Sequence, residues 1–215
     1  MDTLAAMTQT RRATRRETPT KGDRREQGIL DAAEALLEKE GVEPVTVEQI
    51  ALGAGISRAS LYFYFGSKQE VVTALVDRTI AVLKAEEETV AAESDAPPEV
   101  TIERVIRRVE ELWIEHRVVM RAAVENSPMI PAVKALWDGT ILRNIKLLED
   151  MLIRAGVPDD DGPIGARRLA KALAWMSERN FYVASGEPNP EVEIPRTAQT
   201  LIAIWQRAMS AGPTP

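Results

Sequence analysis

Residues Ala54–Lys68 read AGISRASLYFYFGSK, and this stretch decides the fold. Upstream of it, Val47–Gly53 is a short amphipathic segment opened by Thr46 and Gln49, a capping-box pair. A turn through Ala54, Gly55 and Ile56 follows, with a second short helix expected from Arg58 to about Phe63. Two short helices joined by a glycine turn have the shape of a helix-turn-helix. Gly55 supplies the positive φ that such a turn often needs. Ser57 stands where an N-cap is required, its hydroxyl ready to accept an otherwise unpaired backbone N–H. The second helix then offers Arg58, Ala59, Ser60 and Tyr62 to a major groove, with Leu61 and Phe65 expected in the core.

Two further capping boxes are expected beside this unit. Asp23 with Glu26 opens a helix from Arg24 to about Glu40, whose apolar positions Ile29, Ala33, Leu36 and Leu37 share a face and which Gly41 stops. Ser67 with Glu70 opens a long helix through Val72, Leu75, Val76, Ile80 and Leu83. Asp95-Ala96-Pro97-Pro98 breaks that helix. Beyond it, helical spacing marks Ile102–Trp113, a short segment Val118–Glu125, and Val133–Leu152 behind Pro131. The last two helices are expected at Ile164–Ser185 and Pro195–Met209, separated by Gly186-Glu187-Pro188-Asn189-Pro190. No strand-like alternation occurs, so the fold class is all-α, with about nine helices. The organisation expected is a disordered basic arm (1–22), a three-helix DNA-binding domain (23–70) and a helical ligand-binding and dimerisation domain (71–215).

Composition narrows the function. There is no cysteine and a single histidine, His116, which leaves no basis for a disulfide, a thiolate site or a histidine metal site. No cofactor is implied. Eighteen apolar residues never run together and no apolar signal segment opens the chain, so a cytoplasmic protein without a membrane partner is expected. The net charge of −6 is unevenly spread: Arg11, Arg12, Arg15, Arg16, Lys21, Arg24 and Arg25 face only Glu17 and Asp23 in their stretch. Basic residues beside a DNA-reading unit favour phosphate or minor-groove contact, whereas in isolation they would read as a solvated tail. An enzyme is disfavoured, because His116 and Glu115 are the one obvious acid–base pair and adjacent helical residues do not face each other. No nucleophile motif, phosphate loop or metal spacing is present.

The run Gly55-Ile56-Ser57, Leu61-Tyr62, Phe65-Gly66-Ser67-Lys68 and Glu70 resembles the DNA-binding domain of the TetR family of bacterial transcriptional regulators over about residues 24–72. Gly66 replaces a proline common there. The resemblance implies a repressor-like regulator that binds a double-stranded palindromic operator as a homodimer through its last two helices. It also implies phosphate contacts for Tyr62 and Lys68, with Thr46 offering a backbone N–H. Arg58 is the candidate for guanine readout, with a phosphate contact as its competing role. Ser57, Ala59, Ser60 and Tyr64 complete the DNA-facing set. The pairing faces expected across a two-fold are Leu169, Ala172, Leu173 and Met176, with Leu201, Ile202 and Trp205.

All four tryptophans (Trp113, Trp137, Trp175, Trp205) lie in the second half, with Phe181 and Tyr182 nearby. Each is either pocket lining or ordinary core. The segment AWMSERNFY interrupts an apolar helix with Ser177, Glu178 and Asn180. Together with the Trp205 helix it is similar to the EthR-like subgroup, in which an apolar tunnel carries a few polar residues. That similarity implies a small apolar effector bound by Ile106, Val109, Trp113, Trp137, Ile141, Asn144, Leu148, Ser177, Glu178, Tyr182 and Trp205. The alternative is a DNA binder or architectural protein with no small-molecule effector.

Overall fold

The computed structural model describes residues 20–92 and 96–210, and the described residues form nine α-helices and no strand. The helices are α1 Lys21–Glu40, α2 Val47–Gly53, α3 Arg58–Tyr64, α4 Lys68–Ala92, α5 Pro98–Glu115, α6 Arg117–Asn126, α7 Pro131–Arg154, α8 Ala166–Ala184 and α9 Pro190–Ser210. Helices α1–α3 pack around Ile29, Leu30, Ala33, Leu37, Ile50, Ala51 and Leu61, all buried. The start of α4 closes this small core with Val71, Val72 and Leu75. In the other half α5 lies along α9 and α7 along α8, while α4 crosses from one half into the other.

The turn between α2 and α3 is built as the residue types require. Gly55 has φ +65°, Ile56 N–H donates to Ala51 C=O (2.9 Å) and Gly55 N–H to Leu52 C=O (3.0 Å). This is a Schellman-type closure, which satisfies the last carbonyls of α2 through one left-handed residue. Ser57 then caps α3, accepting from Ser60 N–H at 3.1 Å. A β-carbon at Gly55 would meet no atom within 4 Å, so the demand there is on φ alone.

Several boundaries differ from expectation. Helix α1 starts at Lys21, because Thr20 and not Asp23 is its cap: Thr20 Oγ1 accepts from Asp23 N–H (3.1 Å) and Asp23 Oδ2 accepts from Thr20 N–H (2.7 Å). Of the expected arm, residues 1–19 lie outside the described residues, and 20–22 are the cap and first turn of α1. At α4 only half of the expected box forms: Ser67 Oγ accepts from Glu70 N–H (3.2 Å), but the Glu70 carboxylate reaches one residue further, to Gly66 N–H (2.8 Å). Proline at position 66 would forfeit that bond. Helix α9 begins at Pro190 and runs through Pro195. Pro190 stands at the first helical position, where its missing N–H would have no partner, whereas Pro195, the sixth helical residue, leaves the Glu191 carbonyl one turn back without a helical donor. The boundary expected between residues 70 and 71 falls inside α4.

Replacing Gly55 with Ala should lower stability by roughly 1 kcal/mol, the cost of holding an L-residue in the left-handed region, with Asn losing less. Denaturant melts of the three variants check this; an unchanged midpoint for the Ala variant would mean the turn relaxes out of the left-handed region.

Candidate nucleic-acid interface and candidate ligand cavity

The outward surface of α2 and α3 presents Glu48, Leu52, Ser57, Arg58, Ala59, Tyr62 and Phe63, all exposed. Its polar groups are tied to one another. Arg58 pairs with Glu48 Oε1 (2.5 Å), donates to Tyr62 Oη (3.2 Å) and sits over the Tyr62 ring (5.4 Å to centroid). The Tyr62 hydroxyl and the Glu48 carboxylate together hold the Arg58 guanidinium's proton more tightly than usual. Ser57 and Ser60 share a hydroxyl–hydroxyl bond of 2.9 Å. Leu61 and Phe65 are buried, as their positions implied. Tyr64 is half-buried and meets Phe63 edge-on.

Two expected contacts are otherwise engaged. Lys68 donates from Nζ to Val42 C=O (3.1 Å) and Glu43 C=O (3.0 Å), stitching the start of α4 to the α1–α2 loop. The Thr46 backbone N–H donates to Gln49 Oε1 at 2.8 Å, so the capping box consumes the donor expected to meet a phosphate. Two residues escaped sequence reasoning: Phe63 is 84% exposed and Leu52 81%. In a run of alternating aromatics, Phe63 carries no local mark separating it from Phe65.

The second site is a cavity of about 80 Å³ between α4, α5, α7, α8 and α9. Of the eleven residues expected there, ten line it: Ile106, Val109, Trp113, Trp137, Ile141, Asn144, Leu148, Ser177, Glu178 and Trp205. Tyr182 does not. It faces α6, donating to Glu125 Oε1 (3.2 Å) and lying beneath Arg121 and Arg179. Its neighbour Phe181 lines the cavity instead, stacked on Trp113 with centroids 6.4 Å apart. Trp175 also lies outside, 40% exposed. Residues from α4 (Thr79, Ile80, Leu83) complete the wall and were not anticipated, since their spacing reads only as helix core.

Polar atoms in this wall divide sharply. Ser177 Oγ accepts from Trp205 Nε1 (3.1 Å), and Thr140 Oγ1 donates to Leu136 C=O (2.9 Å). Asn144 Oδ1 and Glu178 Oε2 are buried with no hydrogen-bond partner. Burial pushes the Glu178 carboxyl above its ordinary range, against the opposing pull of Arg179.

The cavity is wired to the reading helix through α4. One residue before Thr79, Arg78 bonds back to α1: NH2 to Glu34 Oε2 (2.6 Å), NH1 to Asp31 Oδ1 (2.6 Å) and to Gln27 Oε1 (3.2 Å). His116, at the α5–α6 junction, meets the other Glu34 oxygen at 2.7 Å.

Comparison with known proteins decides the family. Residues 29–75 match the model of bacterial regulatory proteins of the tetR family, and residues 102–211 match the C-terminal domain of the transcriptional regulator EthR. EthR of Mycolicibacterium smegmatis is 32% identical over 207 residues, covering 94% of each chain. The Mycobacterium tuberculosis EthR is 32% identical over 197 residues, 89% of each chain. The chain belongs to the TetR family, in its EthR branch.

Solved structures agree on the fold. A transcriptional regulator from Rhodococcus sp. RHA1 superposes with a TM-score of 0.70 at 19% identity, covering 85% of this chain and 96% of its own. Thermus thermophilus FadR, a TetR-family repressor solved with lauroyl-CoA, gives 0.62 at 19% identity over 88% and 97%. As a TetR-type protein the chain is a ligand-responsive, DNA-binding transcriptional regulator, and that family is not ordinarily enzymatic. Among the described residues no helix is long and apolar enough to cross a membrane, and no His, Asp and Glu cluster could hold a metal.

One prediction follows from the buried carboxyl of this TetR-type cavity. A carboxyl whose pKa rises on folding favours the folded chain most at low pH, and that contribution is lost as pH climbs from the unfolded pKa through the raised folded value. As pH rises above about 4.5, the ordinary value, the melting temperature should therefore fall more for the native protein than for Glu178→Gln. Parallel melting curves would show that the carboxyl is solvated.

Proposed function

We propose that the chain is a homodimeric repressor that reads a palindromic operator with paired α3 helices and is released by a small apolar effector in the aromatic cavity. The observation that carries this reading is the position of α4. Within one turn this helix contributes Arg78 to the α1 network and Thr79 and Ile80 to the cavity wall. An effector that spreads the cavity pushes on the helix that fixes α1, and α1 in turn holds α2 and α3. The effector acts only through its differential affinity for the DNA-competent and DNA-incompetent arrangements. The cavity also favours this reading over an effectorless architectural protein.

On the operator, Arg58 exchanges Glu48 for a base edge or a phosphate. Tyr62 supports it, Ser57, Ala59, Ser60 and Tyr64 frame the contact, and exposed Phe63 offers an apolar edge to a thymine methyl. Thr46 acts by holding the module together, since its amide is spent on the capping box, and Lys68 does so with two of its three N–H donors, keeping one for a phosphate.

The proposed dimer face keeps Leu169, Ala172 and Met176 of the expected set and drops the rest. Leu173, Leu201, Ile202 and Trp205 are buried within the protomer, so they cannot pair across a two-fold. The apolar residues that α8 exposes are Ala172, Trp175 and Val183, set among exposed Arg167, Arg168, Lys171, Arg179 and Asn180, with half-buried Leu169 and Met176 beside them. On α9 the outward positions are Val192, Gln199, Thr200 and Arg207. A second copy docked on this face would set two α3 helices for successive major grooves, about 34 Å apart on B-DNA.

Selection of bound sequences from random DNA should return a two-fold symmetric site; an asymmetric or absent consensus would defeat the proposal. Arg58→Ala should lose roughly 1–3 kcal/mol of operator binding and relax base preference at one position. Loss that is equal on all sequences would make Arg58 a phosphate contact. Trp175→Glu should shift the mass in light scattering from dimer to monomer and weaken operator binding with it. A dimer that survives this change would place the interface elsewhere.

A further inference from the structure

Taking the cavity to be the effector site, as proposed above, its unpaired atoms define what the effector carries. Both orphaned atoms are oxygens that can accept: Asn144 Oδ1 on α7, and Glu178 Oε2 on α8 in its carboxylate form. Buried polar atoms in folded proteins are almost always hydrogen-bonded, and leaving one unmade costs the full desolvation of that group. Glu178 is only 7% exposed and is the one side chain with an ionisable acid or base among the residues lining the cavity. Its one charged neighbour among the described residues, Arg179 Nε, stands 3.9 Å away, beyond hydrogen-bond reach, on a side chain that lies over Tyr182. Among the described residues no Lys or Arg lines the wall, so a carboxylate or phosphate inside would meet one buried acid and no counter-charge from them. Three tryptophans and Phe181 stand among the aliphatic residues that make up most of the wall, and aromatic faces attract a cation.

We infer that the effector of this cavity is a hydrophobic amine, whose N–H groups donate to Glu178 Oε2 and Asn144 Oδ1 while its chain or ring lies in the aromatic sleeve. The fold neighbour that binds an acyl-CoA therefore shares the architecture and not the ligand chemistry.

The test uses three probes of one chain length, n-octylamine, n-octanol and n-octanoate, titrated into the full-length protein and read by calorimetry and thermal melting. Octylamine should bind at least tenfold more tightly than octanol, with octanoate weakest. In Glu178→Gln that preference should vanish while octanol binding persists, which also shows that the variant is folded. Asn144→Ala should narrow it. Equal affinity for amine and alcohol, tighter octanoate, or an amine preference that survives in Glu178→Gln would overturn the amine assignment and leave the cavity as an effector site. If none of the three binds, the effector-site reading falls and this inference falls with it.

Discussion

Arg78 holds the molecule's two halves in register. Its guanidinium spans Glu34 and Asp31 of α1, and the second oxygen of Glu34 meets His116 at the α5–α6 junction. Three helical regions thus converge on one carboxylate that is mostly shielded from water. Charge-assisted hydrogen bonds of this kind are stronger than neutral ones and fix geometry through the planar fork of Arg. Removing one member would strand the others, so the network has few intermediate settings. A joint of that type suits a switch better than a soft hinge does, because packed interfaces change between discrete arrangements.

The cavity sits directly behind the joint. At about 80 Å³ it holds a few water-sized spheres, well short of a large ligand. Its walls are apolar apart from Thr79, Thr140, Ser177, Asn144 and Glu178, and at the last two hydrogen-bonding capacity is left open on α7 and α8. A site of this make-up separates ligands by their polar group more than by their apolar length. One methylene in an apolar pocket is worth only about 1–3 kcal/mol, whereas a mismatched buried polar group leaves partners unpaired on both sides.

The reading surface is self-satisfied in the free protein. Arg58 is held by Glu48 and Tyr62, and Ser57 by Ser60. Exposed pairs of this kind contribute little to stability. Their effect is to pre-position Arg58 against a carboxylate that a nucleic acid must displace. On the proposed reading, in which Arg58 faces the groove, Glu48 beside it penalises contacts that fail to compensate for it, a route to selectivity by repulsion. The chain's net charge of −6 fits such restraint, because non-specific attraction to DNA grows with unpaired positive charge.

The small DNA-reading module was legible in the sequence because local rules govern it. Glycine at a left-handed turn, Ser57 and Thr46 as caps and the buried spacing of Leu61 and Phe65 each depend on neighbours a few residues away. The aromatic cavity was legible through resemblance, which placed ten of its residues. Tertiary packing alone decided the rest. Whether Phe181 or Tyr182 turns inward, and whether Trp175 or Trp205 is covered, depends on how α8 is rotated between α7 and α9, a few tens of degrees that periodicity does not resolve. The engagement of Lys68 with the Val42 and Glu43 carbonyls, and of Arg78 with Glu34, spans some 25 and 44 residues of chain. Contacts at that separation are chosen by the folded geometry, and no local pattern announces them.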